Sequence, residues 1–160
     1  MRNLNLYDFF THSFAGRLVL AVFFVSISLI VKSQDNTLVA VGNQSGTPSS
    51  MKWAELKAIL MGETQRWKNG KRIIIALMKT NTPTGKTTSA TIYDMSGDEL
   101  NKFWLALVFQ GKATAPTFFN SESDLENFVA QNPGAIGIID KPLGSSIKII
   151  TIDGKTQFNL

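Results

Sequence analysis

Lys71–Thr91, KRIIIALMKTNTPTGKTTSAT, joins an apolar run to a turn rich in threonine. The run, Ile73–Met78, has the length and β-branched content of a strand that is buried on both faces. The turn, Thr80–Thr88, contains proline and glycine, and a helix is predicted to start at Thr87 and to reach Tyr93. A strand, a hydroxyl-rich turn and a helix start in this order are typical of anion sites, because free N–H groups and the helix dipole point the same way.

The turn offers hydroxyls, cations and backbone N–H groups as candidate ligands of an oxyanion. The candidate anion-binding residues are Lys79, Thr82, Thr84, Gly85, Lys86 and Thr87. The alternative is an ordinary solvated turn whose threonines cap the following helix. The triplet Gly85-Lys86-Thr87 also occurs in nucleotide P-loops, but the first glycine of that motif would fall at Thr80, so we reject a nucleotide site.

Strand and helix patterns alternate along the rest of the chain. Further strands are predicted at Leu38–Val41, Thr117–Phe119, Ala135–Ile139 and Ile147–Ile152, with a hairpin turn at Asp153-Gly154. Helices are predicted from an N-cap at Ser49 or Ser50 to Gly62, from Ser96 to Gln110, and from an N-cap at Ser121 or Ser123 to Asn132. This alternation favours an α/β domain with a mixed, mostly parallel sheet flanked by helices.

The helix at Ser96–Gln110 has the clearest pattern. Its apolar residues recur at helical spacing and predict one inward stripe, formed by Leu100, Phe103, Trp104, Leu107 and Val108. Asp98 and Glu99 fall in its first turn, where the helix dipole favours carboxylates. Together with Asp94 they form an acidic cluster without a nearby histidine, so we expect a helix-start role and not a metal site.

The N-terminal segment has the features of a secretory signal peptide. Fourteen apolar or small residues, 18–31, follow Arg17, and small residues precede a cleavage point before Gln34. We therefore expect a signal peptide at residues 1–33, a folded domain at residues 34–160 and a periplasmic location. The alternative is an uncleaved anchor in the inner membrane, with the domain facing the periplasm.

Composition excludes several classes of function. The net charge of the chain is +4, but residues 34–160 carry 13 basic and 11 acidic side chains, which is too mild a balance for a nucleic-acid partner. Cysteine is absent, and the single histidine, His12, lies in the N-terminal segment. The folded part thus lacks the commonest general base and the commonest metal ligand, so we expect neither an enzyme, nor a metal site, nor a cofactor.

Several stretches in order resemble the phosphate ABC transporter substrate-binding proteins, a branch of the type II periplasmic binding proteins. Residues 53–78, WAELKAILMGETQRWKNGKRIIIALM, resemble a segment of that family in which a helix ends at a glycine and a tryptophan precedes the next strand. Gly62 and Trp67 hold the positions of that glycine and that tryptophan. Residues 132–137, NPGAIG, match the family's proline–glycine–alanine–isoleucine–glycine signature. The resemblance covers residues 38–140 and implies a single binding-protein-like lobe.

The resemblance implies a non-catalytic solute-binding domain that binds phosphate or another small oxyanion, with an ABC permease or a sensor protein as partner. Such proteins have two lobes, and 127 residues suffice for about one, so a homodimer could rebuild the cleft. The family's phosphate loop carries an arginine and then serine–glycine–threonine, where this chain has Lys79 and Thr84-Gly85-Lys86. The alternative function is an envelope protein-interaction module that uses an apolar face normally covered by the second lobe.

Overall fold

The strand expected from the isoleucine-rich run lies within a six-stranded sheet. The computed structural model describes residues 37–158, and the expected signal peptide, residues 1–33, lies outside this part. The strands are β1 (Val39–Gly42), β2 (Ser50–Met51), β3 (Ile74–Met78), β4 (Thr117–Phe119), β5 (Ala135–Ile139) and β6 (Lys148–Ile152). Their order across the sheet is β2-β6-β1-β5-β3-β4. The expected α/β class is confirmed.

Strand directions create two distinct edges of the sheet. β3 pairs in parallel with both β4 and β5, β2 pairs in parallel with β6, and β1 runs antiparallel to β5 and β6. The ends of β3, β4 and β5 therefore meet at one edge. We call the segments that leave these strands, residues 79–99, 120–125 and 140–141, the carboxyl edge. The amino edge comprises residues 43–49, which follow the antiparallel β1, and residues 62–73, which lead into β3.

Helices cover both faces of the sheet. They are α1 (Trp53–Leu60), α2 (Pro83–Thr88), α3 (Gly97–Phe109) and α4 (Glu122–Gln131), and a π-helical turn at Ser89–Tyr93 continues α2. Side chains alternate along each strand, so Ile136 and Ile138 of β5 join the core under α1 and α3, whereas Ala135 and Ile139 join the core under α4. The fully buried strands read as continuous apolar runs for this reason.

Gly137 brings α4 close to the sheet. A Cβ atom at this position would lie 2.6 Å from Cδ2 of Leu125, so a larger residue would force the Leu125 side chain or the helix to move. A glycine within a strand often marks such a close approach. This contact fixes the distance between α4 and β5, and thus the position of the start of α4 at the carboxyl edge.

Of the two expected helix caps, the one before α4 is confirmed and the one before α1 is wrong. Ser96 caps α3 and Ser121 caps α4, each accepting a hydrogen bond from the N–H group three residues later. The expectation that Ser49 or Ser50 caps α1 is wrong, because Ser50 and Met51 form β2 and pair with β6. Lys52 takes the cap position, and Glu55 accepts a hydrogen bond from its backbone N–H group.

The inward stripe expected on α3 is only partly confirmed. Leu100 and Trp104 are buried, and Phe103 and Leu107 are half-buried. Val108, expected inside, is 43% exposed and lies beside Leu105 at 58% and Phe109 at 83%. We call these three residues the α3 patch. Helical spacing alone cannot separate a stripe that faces the core from one that turns outward beyond the sheet.

The last described residues form a tight turn and isolated β-bridges. Asp153 and Gly154 both adopt positive φ angles, 48° and 80°, which is the conformation expected of a two-residue hairpin turn. Only a single bridge, between Ile152 and Lys155, follows it, and Phe158 instead pairs with Leu38. None of the helices within residues 37–158 has the length and apolarity needed to cross a membrane.

Candidate functional site

The helix after β3 begins earlier than the sequence pattern indicates. α2 starts at Pro83, with Thr82 as its N-cap, and not at Thr87. Proline is favoured at the first helical position because its missing N–H group has no partner there in any case. Thr84, Gly85, Lys86 and Thr87 therefore lie on a helix, and the turn itself shortens to residues 79–82.

Thr82 makes both of the hydrogen bonds that a capping hydroxyl can make. Its Oγ1 accepts a hydrogen bond from the Gly85 N–H group at 3.1 Å and donates to the Lys79 carbonyl at 2.7 Å. The second contact joins the cap to the residue that directly follows β3. Of the two functions considered for this threonine, capping is the one that its hydrogen bonds serve.

Thr84 connects the helix start to an acidic side chain 38 residues away. Its Oγ1 donates to Oε1 of Glu122 at 2.6 Å, and the same carboxylate oxygen accepts a hydrogen bond from the backbone N–H of Asp140 at 3.0 Å. Glu122 lies in the first turn of α4, and Asp140 directly follows β5. One carboxylate thus ties together α2, α4 and the end of β5 at the carboxyl edge.

Gly85 allows α2 to lie directly over the end of β3. A Cβ atom here would overlap the carbonyl oxygen of Lys79 and would lie 2.9 Å from that of Met78. Both obstacles are backbone atoms, which cannot move away as a flexible side chain can. Gly85 is buried, and its importance to the site is steric: it lets the helix start approach the strand end.

Cations and N–H groups remain available around the shortened turn. Lys79 and Lys86 are exposed, and Thr87 is half-buried. Among residues 37–158, no group accepts a hydrogen bond from the backbone N–H of Thr80, Asn81 or Thr84. Three N–H donors thus lie at the start of α2 with Lys79 directly before the turn, and Lys86 lies in the last turn of the same short helix. Free N–H groups at a helix start are the kind of arrangement that receives anions.

Charge is distributed unevenly between the two edges of the sheet. The carboxyl edge carries three lysines and six carboxylates, a net charge of −3; these residues are Lys79, Lys86, Lys141, Asp94, Asp98, Glu99, Glu122, Asp124 and Asp140. Residues 62–73 of the amino edge carry four basic side chains and one acidic one, a net charge of +3; these are Arg66, Lys68, Lys71, Arg72 and Glu63. The anion-type turn therefore lies in an acidic neighbourhood.

Glu99 serves the start of α3, as expected from the sequence, and Asp98 lies in the same first turn. Glu99 Oε2 accepts hydrogen bonds from the N–H and the Oγ of Ser96, at 2.8 and 2.7 Å, and forms a capping box. These hydrogen bonds lower the pKa of the Glu99 carboxyl below its ordinary value. In residues 37–158, no three His, Cys, Asp or Glu side chains are grouped to hold a metal ion.

Glu122 is the residue of this site that sequence reasoning missed. Its position carries a signal, since it follows β4 and the helix cap Ser121, and β4 pairs in parallel with β3. Segments that leave neighbouring parallel strands converge at one edge of the sheet, so a carboxylate at this point faces the turn after β3. Only the strand order of the folded sheet shows that the segment after β4 lies beside the turn after β3.

Comparisons with known proteins give a fold relationship. No family model matches the chain, and no curated protein matches it. An ABC-type phosphate transport receptor from Vibrio cholerae matches with a TM-score of 0.58 and 18% identity, over 79% of this chain and 53% of the receptor. PstS from Borrelia burgdorferi matches with a TM-score of 0.54 and 16% identity, over 74% of this chain and 48% of PstS.

These likenesses define the class of the fold. The chain has the α/β fold of phosphate ABC transporter substrate-binding proteins, as the sequence resemblance implied. It spans about half the length of the two solved structures.

Proposed function

We propose that this protein is an exported, non-catalytic binding lobe that takes up a small oxyanion, with phosphate as the favoured ligand. The observation that carries the proposal is the start of α2 at the carboxyl edge, on a fold similar to that of a phosphate transport receptor. In open α/β sheets, ligands bind outside the carboxyl ends of parallel strands. The exported location and a link to an ABC permease or a sensor protein are parts of the same proposal.

The ligand would contact the N–H groups of Thr80, Asn81 and Thr84, with Lys79 and Lys86 supplying positive charge. Lysine is a point charge on a flexible stem, so it neutralises an oxyanion without the two-pronged hydrogen bond of an arginine. Thr82 and Gly85 would hold the turn in shape through the cap, and Thr87 would stand at the open side of α2. All six residues named from the sequence thus keep a role in the proposed site, two of them structural.

Glu122 makes the proposed site selective among oxyanions. Its carboxylate lies 2.6 Å from the Thr84 hydroxyl, so an anion bound at this helix start meets a negative charge. Two unit charges 4 Å apart repel by roughly 4 kcal/mol at an effective dielectric constant of about 20. An oxyanion that keeps a proton can instead donate a hydrogen bond to the carboxylate. Phosphate keeps such a proton at neutral pH and sulfate does not, so we expect phosphate to be preferred.

Calorimetric titration of the full chain with phosphate tests the proposal. Binding in the millimolar range is expected, because a single lobe surrounds only one side of the ligand. Lys79→Ala and Lys86→Ala should each weaken it, whereas Lys102→Ala, on the exposed face of α3, is the matched control and should not. The absence of heat at millimolar phosphate would contradict oxyanion binding.

A second candidate function is favoured by the α3 patch of Leu105, Val108 and Phe109. Three exposed apolar side chains on adjacent helical turns are typical of a protein-interaction surface, which would make this lobe an envelope interaction module. The patch begins eight residues beyond Gly97, about 12 Å along the helix from the end near Thr80. The module would therefore use a surface away from the carboxyl edge.

Pull-down from envelope fractions separates the two functions. If the module function holds, Phe109→Ser with Leu105→Ser releases a partner that Lys79→Ala retains. If the oxyanion function alone holds, the patch variant binds phosphate as the parent does and captures the same proteins. The comparisons give no support to the homodimer expected from the sequence, and we do not propose one.

A further inference from the structure

A groove at the amino edge lies at the opposite side of the sheet from the proposed oxyanion site. Its volume is about 660 Å³, and it runs between α1, the loop after β1 and the segment before β3. This volume falls within the range of roughly 300–1,000 Å³ that is usual for small-molecule sites. Neither the fold relationship nor the proposed function assigns a role to it.

The floor of the groove is apolar and rigid. It is formed by Met51, Ile59 and Trp67, all more than nine-tenths buried, with Ala58 beside them. The indole N–H of Trp67 donates to the Gly134 carbonyl at 2.8 Å, which fixes the orientation of the ring. A preformed apolar floor of this kind binds the hydrocarbon or aromatic body of a ligand without paying for reorganisation.

The rim of the groove is basic. Arg66 and Lys68 line it directly. Two further lysines contact the loop after β1, which forms the other wall of the groove. Lys148 Nζ donates to the Thr47 carbonyl at 2.9 Å, and the Lys71 side chain lies against Gly46. Glu55 is the single carboxylate among the lining residues, and it pairs with Lys68 at 3.3 Å. Two cations and one carboxylate line the groove, and Lys71 and Lys148 contact the loop behind them, so the rim attracts negative charge.

From the apolar floor and the basic rim together, we propose that this groove binds a small organic anion with an apolar body, such as an aromatic sulfonate or a medium-chain carboxylate. The body of the ligand lies on Trp67 and Met51, and its anionic group replaces Glu55 as the partner of Lys68. The Lys68 side chain is 95% exposed, so its pair with Glu55 is weak and easily exchanged. Inorganic phosphate lacks the apolar body and is not the expected ligand here.

The three tryptophans allow a site-resolved test with naphthalene-1-sulfonate as the probe. In a ¹⁵N-labelled full chain, each described indole N–H group gives its own signal, assigned by single Trp→Phe variants. We expect the Trp67 signal to move and saturate as the probe is added. The signal of Trp104, which is buried on α3 and packs against Gly62, should stay in place.

Three single variants test the charge part of the proposal. Lys68→Glu should weaken binding about three- to tenfold, and Glu55→Gln, which keeps the helix cap, should strengthen it about two- to fivefold. Lys102→Glu makes the same charge change on α3 and should leave the affinity within about twofold of the parent. Unchanged positions of the remaining amide signals show that each variant is folded.

Three results would overturn the proposal. One is a Trp67 signal that does not move at millimolar probe. Another is an equal loss of affinity in Lys68→Glu and Lys102→Glu, which would indicate attraction to the net charge only. The last is an equal movement of the Trp67 and Trp104 signals, which would indicate non-specific association.

Discussion

Thr84 and Glu122 are joined by a 2.6 Å hydrogen bond between a hydroxyl and a carboxylate, and this bond sets the chemistry of the carboxyl edge. It connects the helix that follows β3 with the helix that follows β4. The hydroxyl that the sequence offers to an anion thus already has an anionic partner within the protein. The carboxylate also holds the end of β5 through the Asp140 N–H group.

Removing the Thr84 hydroxyl should destabilise the fold. Thr84→Val keeps the shape of the side chain but leaves Glu122 with one hydrogen bond fewer, and hydrogen bonds to charged groups contribute about 1.5–3 kcal/mol. We expect a loss in the lower part of that range from urea denaturation, because the contact is only partly buried. Thr87→Val, on the same helix and half-buried, should cost less than about 0.5 kcal/mol. Equal losses in both variants would contradict the role given to the bond.

Replacing Gly85 by alanine should be severe. The added methyl group would overlap the Lys79 carbonyl, and relief requires moving α2 away from β3. Overpacking of this kind costs about 1–3 kcal/mol, and more where backbone must shift. Gly144→Ala is the matched control, because a Cβ there meets only ordinary contacts, the nearest at 3.6 Å. A Gly85→Ala variant as stable as Gly144→Ala in urea would show that the helix start is not held against the strand end.

Asn43 should be among the most sensitive polar residues in the core. Its Nδ2 donates to the carbonyls of Val129 and Ala130, both at 2.8 Å, and its Oδ1 accepts a hydrogen bond from the Ser45 N–H group. Asn43→Ala removes three hydrogen bonds at once, including both side-chain contacts to the carbonyls at the end of α4, which costs about 2–4 kcal/mol. Gln44→Ala, at an exposed position, should cost less than about 1 kcal/mol. Thermal unfolding distinguishes these outcomes.

The capping box of α3 gives a pH dependence of known sign. Because hydrogen bonds from Ser96 lower the pKa of Glu99 in the folded state, its contribution to stability is complete above its unfolded pKa. It is lost as the pH falls through the lower, folded pKa. Glu99→Gln should therefore lie below the parent in melting temperature at pH 7 and approach it between about pH 5 and pH 3. A constant difference across this range would show that the charge of Glu99 has no part in the cap.

Much of the fold follows from local sequence patterns. The expected bounds of β3, β5 and α3 agree with the observed bounds to within one residue. These elements are easy to predict because a long buried run and a helical apolar pattern are local signals. β2 was missed because its two residues are held by β6, about 100 positions further along the chain. A strand that short has no periodicity of its own, so the nearby serines suggested a helix cap instead.

The candidate site was harder to derive because its chemistry depends on which segments meet. The lysines and threonines were identified from one contiguous stretch, but Glu122 reaches Thr84 only through the parallel pairing of β3 with β4. The opposite charges of the two edges likewise become visible only once the strand directions are known. Local pattern therefore located the turn, and tertiary structure revealed its acidic partner.

Phosphate binding at the start of α2 can be followed residue by residue. Phosphate is titrated into the ¹⁵N-labelled full chain while the backbone amide signals of Thr80, Asn81 and Thr84 and the indole signal of Trp67 are followed. We expect the three amide signals to move and saturate at millimolar phosphate, to respond less to sulfate, and the Trp67 signal to stay in place. Amide signals that remain still, or movement confined to Trp67, would contradict phosphate binding at this helix start.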